Sequence, residues 1–550
     1  MVFSAKFLSM NTKQNNKIIK RLLKLAPVDE AGLHQFKRAI ASDFKLTLTP
    51  NADLLKVYRQ YVKQTNTKPD LALLKLLKRR AIRTLSGVAP ITVLTKAYPC
   101  PGRCIYCPSE IRMPKSYLSS EPAAQRAVVN RFDPFKQVKS RITQLEKNGH
   151  SADKIELIVL GGTWSFYPET YQTWFIKRCF EAANGRASKT LAVAQKINEK
   201  VKHRIIGLTL ETRPDYVTAK ECWRMRELGC THVQIGVQTL DQKVLDLNQR
   251  DDSIENIARA TNLLRNFGFK ITYHIMPGLP GANPKSDLQT FKLLFHDQRF
   301  QPDMLKIYPT VVLKNSLLYH HWKAGKYKSY SDKVLYNLLV KIKKTIPPYV
   351  RINRLIRDIP GPDIIDGNLI TNLRQKMQQE GVICQCIRCR EVRDEKFSEK
   401  DLRLVKRVYP AGTGQEVFLS FESRDKKKLF AFIRLRLPSK VQVKTEPVKL
   451  TRFFDKKEIT AETNAWAFDN STALIRELHT YGELIPVGSK SEAVQHIGLG
   501  KRLMAEAEKI AKAKGYKKIA VIAGIGVREY YRKLGYKDEM TYLIKSSKIK

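Results

Sequence analysis

Residues 91–107 read ITVLTKAYPCPGRCIYC, and this stretch decides the fold of the central part of the chain. It starts with an apolar, β-branched run, Ile91–Thr95, and ends in a loop that carries Cys100, Cys104 and Cys107. The pattern predicts a buried strand followed by a cysteine loop. Three thiolates on one short loop can bind three irons of a 4Fe–4S cluster and leave the fourth iron open. A structural zinc site is the alternative, but zinc needs a fourth ligand nearby.

Five further apolar runs follow, each with amphipathic helical sequence after it. They are Ile155–Leu160, Ile205–Leu210, Val233–Val237, Ile271–Ile275 and Leu305–Thr310. Runs with little polar alternation, separated by crossover-length segments, predict parallel strands buried on both faces. Six such units are too few for a complete barrel, so we predict an incomplete (βα)6 barrel with its chemistry at the carboxyl ends of the strands. Polar residues expected at those ends are Glu211, Thr212, Arg213, Gln234 and Gln238.

The position of the cysteine loop decides between iron and zinc. A C-x3-C-x2-C loop after the first strand of a βα barrel resembles the defining motif of the radical S-adenosylmethionine (SAM) superfamily, and Tyr106 before the last cysteine is typical of it. The resemblance implies a 4Fe–4S cluster on the three cysteines and SAM as a cofactor. Gly161 and Gly162 follow the second strand, where the superfamily's glycine-rich segment meets the methionine moiety of SAM. Glycine permits such a close backbone approach.

A second chemical motif lies near the carboxyl end of the chain. Gln495, Gly498 and Gly500 form a Q-x-x-G-x-G loop that opens a predicted helix, Lys501–Lys514. The glycines expose backbone N–H groups, and the start of a helix favours a diphosphate. With the following strand Ile519–Ala523 and the aromatic residues after it, the order of elements resembles the GCN5-related N-acetyltransferases (GNAT). The resemblance implies an α/β domain that binds acetyl-CoA, with one tyrosine of the Tyr530-Tyr531 pair near the thioester.

The pattern along the chain predicts four regions. Residues 1–84 form a basic helical region, because residues 1–80 hold 17 Lys and Arg against 5 Asp and Glu. Residues 85–357 form the partial barrel, residues 358–400 a connector, and residues 401–550 the GNAT domain. The connector carries a third cysteine group, Cys384-x-Cys386-x2-Cys389. We interpret this group as a zinc site rather than as free thiols; its fourth ligand stays open, with His479 as one candidate.

The charge and the cysteine content restrict the class of protein. The formal net charge is +47, from 99 Lys and Arg against 52 Asp and Glu. Such a field attracts polyanions through counterion release and predicts nucleic acid as the partner. No apolar run approaches the roughly 18–20 residues that cross a bilayer, so no membrane association is expected. Nine cysteines, six of them in two groups, do not fit a secreted disulfide framework and predict metal sites in the reducing cytoplasm.

The two motifs together, in this order, resemble one family, the catalytic subunit of Elongator and its stand-alone bacterial and archaeal relatives. The resemblance rests on the following runs: Glu121-Pro122, 131–135 (RFDPF), 161–164 (GGTW), 211–216 (ETRPDY), 235–238 (IGVQ), 306–310 (KIYPT) and 476–482 (RELHTYG). It implies that the basic N-terminal region binds tRNA. It also implies a reaction at the anticodon, in which a 5′-deoxyadenosyl radical from SAM takes a hydrogen from the methyl group of acetyl-CoA. The carbon radical would add to carbon 5 of the wobble uridine, and hydrolysis would leave 5-carboxymethyluridine and CoA.

The family's acetyl-CoA contacts carry over by position to this chain. They fall on Lys154, Glu477, Leu478, His479, Thr480, Leu499, Gly500, Lys501, Arg502 and Tyr531, beside Gln495 and Gly498 of the loop. Lys154 and Tyr531 are the residues that the resemblance places nearest the chemistry. A lysine at position 154 would set a cation near the CoA phosphates.

Two alternatives stay open. The chain could be a protein acetyltransferase for basic tails with a structural iron–sulfur barrel, or a tRNA-binding subunit with degenerate sites. The charge argues against the first, because a surface this basic repels lysine-rich tails, and the intact motifs argue against the second. The short gap between Cys100 and Cys104 favours a stand-alone prokaryotic-type enzyme, so we do not expect an Elongator scaffold. The reductant and the oligomeric state, including a homodimer, stay open.

Overall fold

A computed structural model describes residues 10–78, 87–370, 372–392, 399–439, 448–451, 458–461, 468, 471–481 and 498–546. Its N-terminal part consists of helices around a small apolar core. These helices are Thr12–Leu25, Glu30–Asp43, Asn51–Thr65 and Leu71–Leu77. The first begins where the side chain of Asn11 accepts the backbone N–H of Gln14, and it buries Ile18, Ile19 and Leu22 on one face. The N-terminal region is therefore helical, as predicted.

The central part is a parallel sheet of seven strands in the order β1-β2-β3-β4-β5-β6-β8. The strands are β1 Ala89–Leu94, β2 Lys154–Leu160, β3 Arg204–Thr212, β4 His232–Gln238, β5 Lys270–Ile275, β6 Met304–Ile307 and β8 Arg351–Arg354. The predicted incomplete parallel barrel is confirmed, and each predicted apolar run overlaps one of its first six strands, although the run Leu305–Thr310 extends three residues beyond β6. The seventh strand was not predicted, because Arg351–Arg354 buries only Ile352 and has no apolar run.

Helices follow the barrel strands and cover the sheet. They are Pro122–Val129, Pro134–Lys147, Glu169–Asn184, Leu191–Asn198, Ala219–Glu227, Gln242–Leu247, Ile254–Asn266, Pro284–His296, Leu318–Lys323 and Asp332–Thr345. The cysteines outside the two groups, Cys179, Cys222 and Cys230, are fully buried, the first two within these helices. β7 Val312–Leu313 lies between β6 and β8 in the chain and pairs antiparallel with β9 Ile364–Asp366, which follows β8. The helices Leu373–Gln379 and Ile387–Arg390 come after β9.

The C-terminal part is a second sheet of seven strands, in the order β10-β11-β12-β15-β16-β18-β17. Its strands are β10 Leu402–Pro410, β11 Gly414–Ser423, β12 Leu429–Pro438, β15 Thr472–Thr480, β16 Lys518–Val521, β17 Lys537–Glu539 and β18 Tyr542–Ser546, with helices Leu499–Ala513 and Arg528–Arg532. A separate hairpin pairs β13 Val448–Thr451 with β14 Glu458–Ala461. β15 pairs antiparallel with β12 but parallel with β16. The helix predicted at Lys501–Lys514 is present at Leu499–Ala513, and its apolar face packs on this sheet.

The C-terminal sheet packs against the amino ends of the barrel strands. A Cβ atom on Gly524 would lie 1.9 Å from the carbonyl oxygen of Ile206 in β3, so only glycine allows this approach. The buried guanidinium of Arg476 joins the two parts, because it donates to Asp303 beside β6 and to Glu416 in β11. Among the helices described, none has the length and the apolar character that crossing a bilayer requires.

Candidate functional site

The cysteine loop lies at the carboxyl end of β1, where backbone contacts from other barrel loops hold it. The Ile105 N–H donates to the Asn248 carbonyl at 3.2 Å, and the Ile105 carbonyl accepts the Leu318 N–H at 2.8 Å. The Cys100 sulfur lies 3.7 Å from the Thr163 hydroxyl, next to the glycine segment after β2. The structure therefore brings the predicted cluster ligands and the predicted SAM segment to the same end of the barrel.

The electrostatics of the loop favour metal-binding thiolate. A hydrogen bond from Cys107, together with the nearby Arg250, lowers the pKa of Cys104 to about 5 in spite of its burial. The Arg250 guanidinium approaches the Cys104 sulfur at 3.7 Å. The pKa of Cys107 is raised because its thiol shares its proton with Cys104. Since the thiolate is the ligand form of cysteine, the loop fits a cluster that replaces this shared proton.

The glycines after β2 leave room for a ligand beside the loop. Gly161 has φ +147°, and a Cβ there would lie 1.8 Å from the Thr95 hydroxyl oxygen. Gly162 has φ +83°, lines the main cavity, and would have no neighbour closer than 3.5 Å to a Cβ atom. Within the described residues, Nη1 of Arg213 and Oε1 of Gln238 are buried without a hydrogen-bond partner. These two groups are available to a polar ligand such as SAM.

The main cavity, of about 970 Å³, extends from the cysteine loop through the barrel to the C-terminal sheet. Its wall carries a polar group in which the Tyr117 hydroxyl donates to Glu211 at 2.8 Å, and Nδ1 of His274 lies 3.5 Å from the same carboxylate. Lys306 lies on this wall as well, and burial lowers the pKa of its ammonium to about 8. The wall can therefore both donate and accept hydrogen bonds.

A second cavity, of about 340 Å³, lies between the amino ends of the barrel strands and the C-terminal sheet. Six residues predicted to contact acetyl-CoA line it together: Lys154, Glu477, Leu478, His479, Thr480 and Tyr531. Burial lowers the pKa of Lys154 and lowers that of His479 to about 4, so this imidazole is neutral at physiological pH. Tyr531 is buried and Tyr530 half-buried, and both line the cavity.

The start of the long C-terminal helix lies next to this second cavity. Gly498 precedes the helix with φ +76°, and a Cβ on Gly500 would lie 3.2 Å from the Tyr530 hydroxyl and 3.7 Å from Thr480. Leu499 is buried and Lys501 is exposed. Arg502 forms an ion pair with Glu399 at 2.7 Å and lies over the Phe421 ring, so in this structure its charge has a partner within the protein. Gln495 lies outside the described residues.

The third cysteine group is compact. The sulfurs of Cys384, Cys386 and Cys389 lie within 4.8 Å of one another. Hydrogen bonds from Cys384 and Cys389 hold the pKa of Cys386 well below its usual range. His479, the candidate fourth ligand, is not among the residues that the described chain brings into this group. It lines both cavities instead.

Sequence reasoning missed several polar residues of the site, including Tyr117 and His274 on the wall of the main cavity. Arg250 approaches the cysteine loop from beyond β4, and Glu156 and Lys270 line both cavities at the amino ends of β2 and β5. Conserved chemistry is expected at the carboxyl ends of barrel strands, so nothing local marks a polar residue at an amino end. A lysine at the first position of an apolar strand is the only signal that the sequence offers.

Comparison with protein families agrees with this arrangement. The family model of the radical SAM superfamily matches residues 97–294, and that of the radical SAM C-terminal domain matches residues 302–381. The model of the acetyltransferase (GNAT) family matches residues 473–536. The matched ranges contain the cysteine loop and the helix that follows Gly498.

Several relatives match the chain over most of its length. The tRNA uridine(34) acetyltransferase of Methanocaldococcus infernus is 40% identical over 97% of this chain and 99% of its own length. That of Dehalococcoides mccartyi is 41% identical over 85% of this chain and 99% of its own length. Human Elongator complex protein 3 is 37% identical over 86% of this chain and 87% of its own length. A solved structure of Methanocaldococcus infernus Elp3 with an N-terminal deletion superposes with a TM-score of 0.70 at 39% identity, covering 84% of this chain and 100% of that one.

Proposed function

This chain belongs to the family of the tRNA uridine(34) acetyltransferases and Elongator complex protein 3, enzymes that join a radical SAM domain to a GNAT domain, and on that premise we propose that it modifies the wobble uridine of tRNA. We propose further that acetyl-CoA is the carbon donor and that 5-carboxymethyluridine is the product. In this proposal the barrel binds the cluster and SAM, and the C-terminal domain binds acetyl-CoA.

One observation carries this proposal. The main cavity is lined at one end by the three cysteines of the loop and at the other by Glu477 and His479 of the C-terminal sheet. An acetyltransferase with a merely structural iron–sulfur site would not need a continuous space between its CoA domain and its cysteine loop. A reaction that consumes acetyl-CoA by radical chemistry does need one.

The residues present fit the cofactors that the family implies. Cys100, Cys104 and Cys107 would hold a 4Fe–4S cluster, and the segment Gly161-Gly162 with Nη1 of Arg213 would hold SAM. When bound, the cluster and SAM would supply the radical chemistry that activates the acetyl methyl group, with an electron from an external reductant. We also propose zinc for the third cysteine group, because three sulfurs within 4.8 Å suit a single ion with Zn–S distances of about 2.3 Å.

The protein's own groups bind and orient the substrates in this scheme. In this proposal Lys154, on the wall of the second cavity, pairs with a phosphate of CoA, and Tyr531, on the same wall, contacts the bound acetyl-CoA. The polar wall of Glu211, His274 and Lys306 offers both donors and acceptors to the edge of a uracil ring. A base taken out of its stack requires such hydrogen bonds in place of those it leaves.

The basic N-terminal region is our proposed tRNA-binding surface. Its net charge of about +12 over residues 1–80 (17 − 5) suits phosphate contacts, and it is tied to the barrel because Arg59 donates to the Glu146 carbonyl at 3.0 Å. We propose that boundaries near residues 84, 357 and 400 separate this region, the barrel, the connector and the GNAT domain.

The test is an anaerobic assay with reconstituted protein, SAM, a reductant, tRNA and acetyl-CoA with a deuterated methyl group. We expect 5′-deoxyadenosine to form only when acetyl-CoA is present and to carry deuterium from its methyl group, and we expect a carboxymethylated uridine in the nucleoside digest. Cys104→Ala should abolish both signals. Cys222→Ala is the matched control, because this cysteine is fully buried in the barrel core away from the loop.

The outcomes separate the two activities. Deuterium transfer with a modified uridine supports the proposal. Acetylation of lysine peptides that survives Cys104→Ala, with no change in the tRNA, would instead establish a protein acetyltransferase and overturn it.

A further inference from the structure

The two cavities meet at a ring of shared residues. Val88, Glu156, Lys270, Glu477 and His479 line both the main cavity and the second cavity, and we call these five residues the collar. Three of them belong to the barrel and two to β15 of the C-terminal sheet. The collar is thus formed only where the two parts of the chain pack together.

The collar lies at the opposite end of the barrel from the cysteine loop. Val88 precedes β1, Glu156 is the third residue of β2 and Lys270 is the first of β5, whereas the loop follows the carboxyl end of β1. β2 has seven residues, which at about 3.3 Å each span roughly 20 Å. An acyl group held entirely in the second cavity would therefore lie far from a radical formed beside the loop.

The charged side chains of the collar lie close to opposite charges or to a histidine. Oε1 of Glu156 lies 3.6 Å from Nδ1 of His232. The Glu477 carboxylate lies 3.7 Å from the Lys270 ammonium and accepts a hydrogen bond from Arg434 at 2.9 Å. In the described part of the chain, Nε2 of His479 is buried without a partner. This nitrogen can form a hydrogen bond with a neutral amide or thioester that passes beside it.

We propose that the acyl end of acyl-CoA enters the barrel through this collar while the nucleotide end stays in the second cavity, and that the collar admits only short, uncharged acyl groups. The inference rests on the proposed function, because it names the route and the substrate class of the same reaction. An acyl chain that ends in a carboxylate would meet two carboxylates in the collar, Glu156 and Glu477, while the ammonium of the collar's Lys270 already lies 3.7 Å from Glu477. A buried charge without a partner is strongly unfavourable.

Val88 offers the sharpest test, because its half-buried side chain lies in the collar without carrying charge. Val88→Leu and Val88→Trp should narrow the passage by increasing amounts. We expect calorimetric binding of acetyl-CoA to cluster-free Val88→Trp to stay within about threefold of wild type, while deuterium transfer to 5′-deoxyadenosine falls by about tenfold or more. Val88→Leu should be intermediate. Val408→Trp, at an exposed position on β10, should change neither quantity.

Acyl-CoA specificity supplies a readout that needs no radical chemistry. Malonyl-CoA should bind cluster-free wild-type protein about tenfold more weakly than acetyl-CoA. Equal affinity would overturn the proposed selectivity. Undiminished deuterium transfer in a folded Val88→Trp protein, or loss of acetyl-CoA binding in Val88→Leu, would overturn the route. Absence of deuterium transfer in the wild-type enzyme would instead refute the proposed function, and the binding comparison would still test the collar.

Discussion

Replacing Arg476 by methionine should loosen the junction between the barrel and the C-terminal sheet. Arg476 forms an ion pair with Asp303. Both partners are buried, with side-chain exposures of 0% for Arg476 and 1% for Asp303. The guanidinium donates to Asp303 at 3.0 Å, to Glu416 at 2.9 Å and to the Phe269 carbonyl at 2.7 Å. Arg476→Met removes these bonds, together with a second one to Asp303, and leaves two buried carboxylates short of a cation.

The expected loss is large for a single substitution. Breaking a buried pair by removing one partner costs about 3–5 kcal/mol. With a urea slope of about 2 kcal/mol per molar, the unfolding midpoint should fall by roughly 1.5–2.5 M. Arg502→Met is the matched control, since its pair with Glu399 is about half exposed. An exposed pair contributes about 0–1 kcal/mol, so the control midpoint should move by at most about 0.5 M.

The pH dependence of this loss gives a second check. Burial alone would raise the pKa of Asp303, but Arg476 and Arg434 hold it below its ordinary value. The wild-type protein therefore has this stabilisation at neutral pH and loses it as the pH falls through the depressed pKa. Without Arg476 the Asp303 pKa rises, so the difference between wild type and variant should shrink as the pH falls through that raised value. Urea titrations monitored by circular dichroism measure both effects. A midpoint shift no larger than that of the control would refute the reasoning.

Three further predictions concern ligands. Gly161→Ala should weaken SAM binding by about tenfold or more in equilibrium dialysis, because its Cβ would lie 1.8 Å from Thr95; Gly185→Ala, also at positive φ but with no atom within 4 Å, should not. Cys386→Ser should abolish the zinc content measured by elemental analysis, while the iron content after reconstitution stays unchanged. Loss of iron instead would contradict the assignment of two separate metal sites. Lys154→Met should weaken acetyl-CoA binding by about tenfold, about 1.4 kcal/mol, because a cation that pairs with a phosphate is lost; a change below about twofold in calorimetry would rule out that pairing.

The sequence by itself determined the local chemistry. The spacing of the three cysteines after Ile91–Thr95 identifies a cluster loop, and runs of apolar residues identify six barrel strands, because burial on both faces leaves a continuous apolar pattern. The glycine loop before the helix Leu499–Ala513 predicts a CoA-binding element from a similarly local pattern. Each of these signals lies within about twenty neighbouring residues.

Only the tertiary structure decided where these elements meet. Arg351–Arg354 becomes a strand because it pairs with the edge of β6. Its sequence does not predict a strand, since only one of its residues is buried. Glu156 and Lys270 become collar residues because the C-terminal sheet packs on the amino ends of the barrel strands. Hydrophobic periodicity reports that a face is buried and does not report its partner. The contact between segments some 200 residues apart, such as Phe269 with Arg476, is therefore a property of the folded chain.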